Sequence, residues 1–116
     1  MIGVIFEVWP KPEFKDKYLE LAAELRGTLE SIEGFISVER FQSITEDNKM
    51  LSLSFFENQK ALDEWRNLAE HRVAQRVGRS RYFQDYRLRV VEVLRDYGMQ
   101  QREQAPADSE ALLAKK

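Results

Sequence analysis

His71 is the only histidine in the chain, and imidazole is the one side chain whose ordinary pKa suits proton transfer near neutrality. It sits close in sequence to Trp65, Arg72 and Gln75. A base, an aromatic ring, a cation and an amide are the parts of a pocket in which a bound molecule loses a proton. Glu7 and Arg40 are charges that interrupt otherwise apolar stretches. Glu7 would serve as a second base if burial raised its carboxyl pKa. It would equally pair with an arginine on a neighbouring strand, such as Arg40 or Arg89, at the cost of its own desolvation. Read structurally, His71 is a surface or hydrogen-bonded helix residue, and Trp65 is part of the core.

The remaining inventory excludes more than it offers. The chain has no cysteine, which removes disulfides, thiolate nucleophiles and cysteine-based zinc sites together. A single histidine rules out a multi-histidine metal site in one chain, and no metal site is expected. There is no P-loop, no GxGxxG, no zinc motif and no nucleophile elbow. With 18 Lys and Arg against 20 Asp and Glu, the net charge is -2. That balance gives no global reason to bind nucleic acid or an anionic membrane. The basic run Arg72, Arg76, Arg79 and Arg81 reads as a solvated helix face. No stretch approaches the roughly 20 apolar residues that span a bilayer. The segment from Met1 to Glu7 lacks the basic region and long apolar run of a signal peptide, so a cytoplasmic protein is expected.

The elements that must position these groups follow from periodicity. At 116 residues the chain is one domain of modest core. Ile2 to Trp9 is β-branched and aromatic and ends at Pro10-Lys11-Pro12, which predicts a strand. Phe14, Tyr18, Leu21, Ala22, Leu25, Leu29 and Ile32 recur at steps of three and four, the stripe of an amphipathic helix. Gly34 is its natural stop. Phe35 to Ser43 and Met50 to Glu57 alternate as two strands about a Thr45–Asn48 turn. Asn58 caps a second helix whose inward face is Ala61, Leu62, Trp65, Leu68 and Ala69. That stripe drifts beyond Asn67, so a kink or a second short helix is expected there, with a stop at Gly78. Arg81 to Tyr86 reads as an aromatic linker and Tyr86 to Arg95 as the last strand. Residues 1–98 make up the domain, and residues 99–116 form a polar extension, disordered or packed on a partner subunit.

The order βαββαβ is that of an α+β, ferredoxin-like fold, with two helices covering one face of a four-stranded antiparallel sheet. The other face should be polar, yet the first and last strands carry large apolar groups on both sides. A patch of that size is unusual on a soluble monomer, and a twin sheet from an identical chain would cover it. A homodimer is therefore expected.

Several segments are similar to those of a known family. The Glu33-Gly34-Phe35 turn, the run Phe55-Phe56-Glu57-Asn58 and the continuation through Ala61-Leu62 to Trp65, set in this element order, resemble the antibiotic biosynthesis monooxygenases. These are dimeric α+β barrels, and the resemblance covers roughly residues 2 to 95. It implies a cofactor-independent monooxygenase that oxidises a small aromatic molecule of phenol or quinol type with dioxygen. In that scheme His71 or Glu7 takes the proton, Trp65 walls the pocket, and Arg72 or Gln75 holds the substrate oxygen. A haem-degrading branch of the same superfamily is the alternative. It uses an Asn on the first strand, a Trp on the second helix and a haem-ligating His ten residues later. Trp65 matches that Trp, but Glu7 and Gln75 stand where the Asn and His would be, and an amide is a poor ligand for haem iron. A third possibility is a non-catalytic dimeric module that binds a small ligand in the same pocket.

Overall fold

A computed structural model describes residues 1–76 and 82–109, and for residues 70–76 it describes the backbone alone. The elements run β1 (Ile2–Pro10), a single 3-10 turn (Pro12–Phe14), α1 (Lys15–Glu30), β2 (Phe35–Gln42), β3 (Met50–Phe56), α2 (Gln59–Arg76) and β4 (Phe83–Glu92). All strand pairs are antiparallel, in the order β2-β3-β1-β4. This is the expected α+β ferredoxin-like sheet. The order of the elements matches the sequence reading, and several boundaries differ from it: α1 ends at Glu30 rather than near Gly34, and β4 ends at Glu92 rather than Arg95. β4 begins at Phe83, three residues before Tyr86, because Pro10 pairs with Phe83 beyond a register shift in β1. α2 runs as one helix to Arg76, although the apolar stripe drifts after Asn67. The expected stop at Gly78 lies outside the described residues.

Local chemistry explains the element ends. Pro12 opens the 3-10 turn, where its missing N–H costs nothing. The Asn58 side-chain oxygen accepts from the Ala61 N–H at 3.0 Å, the cap expected for α2. Gly34 has φ +93°, a left-handed conformation that L-residues avoid. A Cβ there would stand 3.0 Å from that of Ala61. The Gly34 carbonyl also accepts from the Glu57 N–H at 2.7 Å, which ties the entrance of β2 to the exit of β3. Gly34→Ala is therefore expected to lose about 2 kcal/mol of stability, since the wrong-handed backbone alone costs about 1–2. A urea titration measures it, and Ala61→Gly should restore only the steric part.

Opposite residues in an antiparallel ladder share a face, so the registers sort the sheet into two sides. Val4, Val38 and Phe56 pack with Leu29 of α1, with Ile32 just after it, and with Ala61 and Leu62 of α2. This is the helix side. A second cluster joins Leu21 and Leu25 to Tyr82, with Phe14, Trp65 and Phe83 against it. The helices leave the outer strand bare, since Leu88 and Val90 of β4, on this same side, are 50% and 49% exposed. The other side carries Ile5 of β1, Leu51, Leu53 and Phe55 of β3, and Val91 of β4. No described element covers it. Gly3 lies between Phe55 and Val91, whose side chains would come within 3.2 Å of a Cβ there.

After β4 the chain folds on itself. The Asp96 N–H donates to the Gln104 side chain at 2.8 Å, and the Arg102 guanidinium lies 5.2 Å from the centre of the Tyr97 ring. Leu94 and Met99 are each 87% exposed in this segment. The segment Glu110 to Leu113 lies outside the described residues.

Candidate functional site

Glu7 points to the bare side of the sheet, as does Ile5 two residues before it. Its carboxylate binds the Lys49 ammonium at 2.8 Å and the Arg89 guanidinium. Lys49 also sits 5.1 Å from the centre of the Trp9 ring. The hydrogen bonds from Lys49 and Arg89 hold the Glu7 carboxyl below its usual pKa. The condition under which Glu7 would act as a base, a pKa raised by burial, is thus the reverse of what its neighbours impose. Of the two arginines expected as partners, Arg89 is the one it meets. Arg40 lies on the other side of the sheet, opposite Ser52.

This pairing has a pH signature. A carboxyl whose folded pKa is depressed adds stability above its unfolded value of 4.5, and that stability is lost as pH falls through the folded value. Glu7→Gln should therefore remove part of the acid-side loss of stability and leave the slope above pH 5 unchanged. Urea midpoints collected from pH 3 to 7 would show it, and parallel curves for the two proteins would refute it.

A groove of about 510 Å³ opens on the same bare side, lined by Ile5, Glu7, Phe41, Ile44, Lys49 and Leu51. Its walls come from the sheet and from the β2–β3 turn. Gln42 braces that turn, its side-chain amide donating to the carbonyls of Asp47 at 2.9 Å and Lys49 at 3.1 Å.

The helix side is different chemistry. Trp65 is partly buried and packs against both core clusters. His71, Arg72 and Gln75 are on α2 beyond it, with side chains outside the described set. Trp65 and Glu7 are on opposite sides of the sheet. The two positions matched to the haem-degrading branch therefore do not meet within one protomer, because strand parity sends Glu7 away from the helices. Phe6, Phe83 and Tyr86 stack in a chain of rings 5.7–6.1 Å apart. Tyr18 of α1 meets Phe83 edge-on at 5.4 Å.

One charge enters this aromatic region. Arg40 of β2 lies across from Ser52 of β3, which is itself across from Phe6 of β1. Burial pushes the Tyr18 hydroxyl pKa up, and the Arg40 guanidinium beside it works against that rise. Tyr18 accordingly remains a neutral phenol. The Nε–H of Arg40 is enclosed and has no hydrogen-bond acceptor among the described residues. A buried donor left in that state costs about 1–3 kcal/mol. The sequence marks Arg40 as a charge interrupting a strand and as a candidate partner of Glu7. Its meeting with Tyr18, some twenty residues earlier, has no local signal. Among the described residues no group of three or more His, Cys, Asp or Glu could hold a metal ion. No described helix is long and apolar enough to cross a membrane.

Comparison with known proteins places this arrangement. The solved structure of Rv0793 from Mycobacterium tuberculosis superposes with a TM-score of 0.71 at 17% identity, over 84% of this chain and 98% of that one. A solved antibiotic biosynthesis monooxygenase gives 0.67 at 19% identity, over 81% and 99%. At such identities these two matches establish the fold. A jasmonate monooxygenase of Pyricularia oryzae is 44% identical over 93 residues, which are 80% of this chain and 43% of that protein. The chain thus spans less than half the length of that relative. The antibiotic biosynthesis monooxygenase family model matches residues 1–77, which include β1, both helices' described parts and the Gly34 turn. The chain belongs to the antibiotic biosynthesis monooxygenase family.

Proposed function

We propose that this protein is a cofactor-independent monooxygenase for a small aromatic substrate of phenol or quinol type, working as a homodimer. Family membership and a relative named as a monooxygenase support the reaction type. The observation that carries the substrate class is the chain of rings on the helix side, Tyr18, Phe83, Phe6 and Tyr86. Such a wall favours a flat, electron-rich molecule by stacking and edge contacts. It also excludes water from a substrate anion.

The chemistry balances without an external reductant. His71 takes the phenolic proton, and the anion passes one electron to dioxygen. The resulting radical and superoxide combine at ring carbon. The peroxide then breaks its O–O bond, leaving one oxygen as the new carbonyl and the other in water. A phenol plus dioxygen gives a quinone plus water, with all four electrons supplied by the substrate. Arg72 or Gln75 would hold the substrate oxygen as charge develops there. Trp65, partly buried, borders the same side.

The bare side of the sheet supports the homodimer. The apolar residues there match what a face-to-face twin would bury, and the Glu7 ion cluster satisfies its own charges within that face. The extension after β4, with Leu94 and Met99 turned outward, would then lie along the partner.

Oxygen uptake with a panel of naphthols, hydroquinones and anthrones tests the activity. Turnover should exceed the uncatalysed rate on at least one of them and be unchanged by chelators. Addition of haemin should produce no sharp Soret band, with the same spectrum for His71→Ala. An absence of turnover across the panel would overturn the proposal.

A further inference from the structure

We infer that Arg40 is an anion anchor on the helix side of the sheet, and that it binds the carboxylate of an aromatic acid. The inference rests on the reading that the substrate occupies that side.

Three observations lead to it. The Nε–H of Arg40 is enclosed with no acceptor, so the residue keeps a donor in reserve where nearly every buried donor is paired. Its described surroundings supply hydroxyls and rings but no negative charge: Tyr18 stands beside it, Ser52 lies opposite and Phe6 follows. The adjacent acid, Glu39, is opposite Leu53 and so belongs to the other side of the sheet. The chain also shows what it does when an ion pair serves the fold. On the bare side one carboxylate, Glu7, is shared by two cations, whereas Arg40 has no carboxylate among the described residues.

A guanidinium so placed selects a carboxylate over a neutral group, since its planar fork matches two oxygens and the charges reinforce the hydrogen bonds. The spacing sets the size of the ligand. Arg40 and Phe6 are two strands apart, about 10 Å. A fused two-ring acid would reach from the guanidinium to the aromatic chain at Phe6, Phe83 and Tyr86. A monocyclic acid would engage the anchor without reaching those rings.

The test follows one resonance of the full chain. In ¹⁵N-labelled protein the Arg40 Nε–H signal is assigned by its loss in Arg40→Lys. The protein is then titrated with 1-hydroxy-2-naphthoate and, separately, with its methyl ester. The acid should move the Arg40 Nε–H proton downfield and saturate, and the ester should leave it in place. Affinity for the acid should fall at least tenfold in Arg40→Lys and further in Arg40→Met. The wild-type titration decides the matter even if a variant folds poorly. A signal that stays put under excess acid, whether the acid binds elsewhere or not at all, overturns the anchor. So does an equal shift with the ester. Oxygen uptake on neutral quinols would still support the oxygenase reading in either case, so the two can fail separately.

Discussion

Leu53→Asp is expected to turn the proposed homodimer into a monomer at micromolar concentration. Leu53 is on the central strand β3, with Ile5 on one side and Glu39 on the other, in the middle of the bare face. Packing two such faces would bury an unpaired carboxylate from each chain, beside an existing acid. Removing that charge from water costs several kcal/mol per ion, while a standard interface is only marginally stronger than its assembly costs. The dissociation constant should rise by a factor of about 10³ or more. Folding should survive, because the face is already bare in the single chain, and circular dichroism would confirm it. Sedimentation of the wild type and the variant gives the answer. A wild-type monomer, or a variant that still dimerises, would remove the basis for the twin sheet.

His71→Ala carries the largest expected effect on turnover. A positioned base contributes typically 10²–10⁴-fold, and this chain has no second imidazole to substitute for it. Glu7 is held ionised on the opposite side of the sheet, so it offers no alternative route within one protomer. The rate of oxygen uptake should therefore drop by about 10²–10⁴, with KM changed little and partial rescue by added imidazole. Gln75→Ala, acting on the developing charge, should cost about 10²–10³. Full activity in His71→Ala would end its assignment as the base.

The fold was legible because local and long-range preferences agree through most of the chain. Tyr18, Leu21, Ala22, Leu25 and Leu29 of the expected stripe are the buried face of α1, and Asn58 is a true cap. Gly34 is left-handed, but α1 ends before it, at Glu30 with Ser31 as its C-cap. β4 shows where agreement fails. Gln84 and Asp85 have poor strand propensity, so the sequence suggests a linker there, but pairing with Trp9 and Pro10 of β1 overrides local preference. The site was less legible for a related reason. Alternation shows that Glu7 and Val8 face opposite ways, and the helices claim the side of Val4 and Val8. Nothing local says that Lys49, at the foot of a turn, will reach Glu7. Nor does any spacing bring Tyr18 to Arg40, since that contact depends on how α1 crosses the sheet. Trp65 could be placed on an inward stripe, but its bridging of two clusters is a product of packing.

The order β2-β3-β1-β4 has a consequence for synthesis. Of the four strands, β1 is made first and becomes an interior strand, flanked by partners whose pairing residues extend to Phe56 on one side and Glu92 on the other. Until residue 92 emerges, the backbone of β1 is unpaired along one edge, and its hydrophobic run waits exposed. Long-range pairing of this kind slows folding and leaves nascent chains prone to sticking. Chains released before Glu92 should accumulate with chaperones, whereas release after Glu92 should permit rapid closure of the sheet.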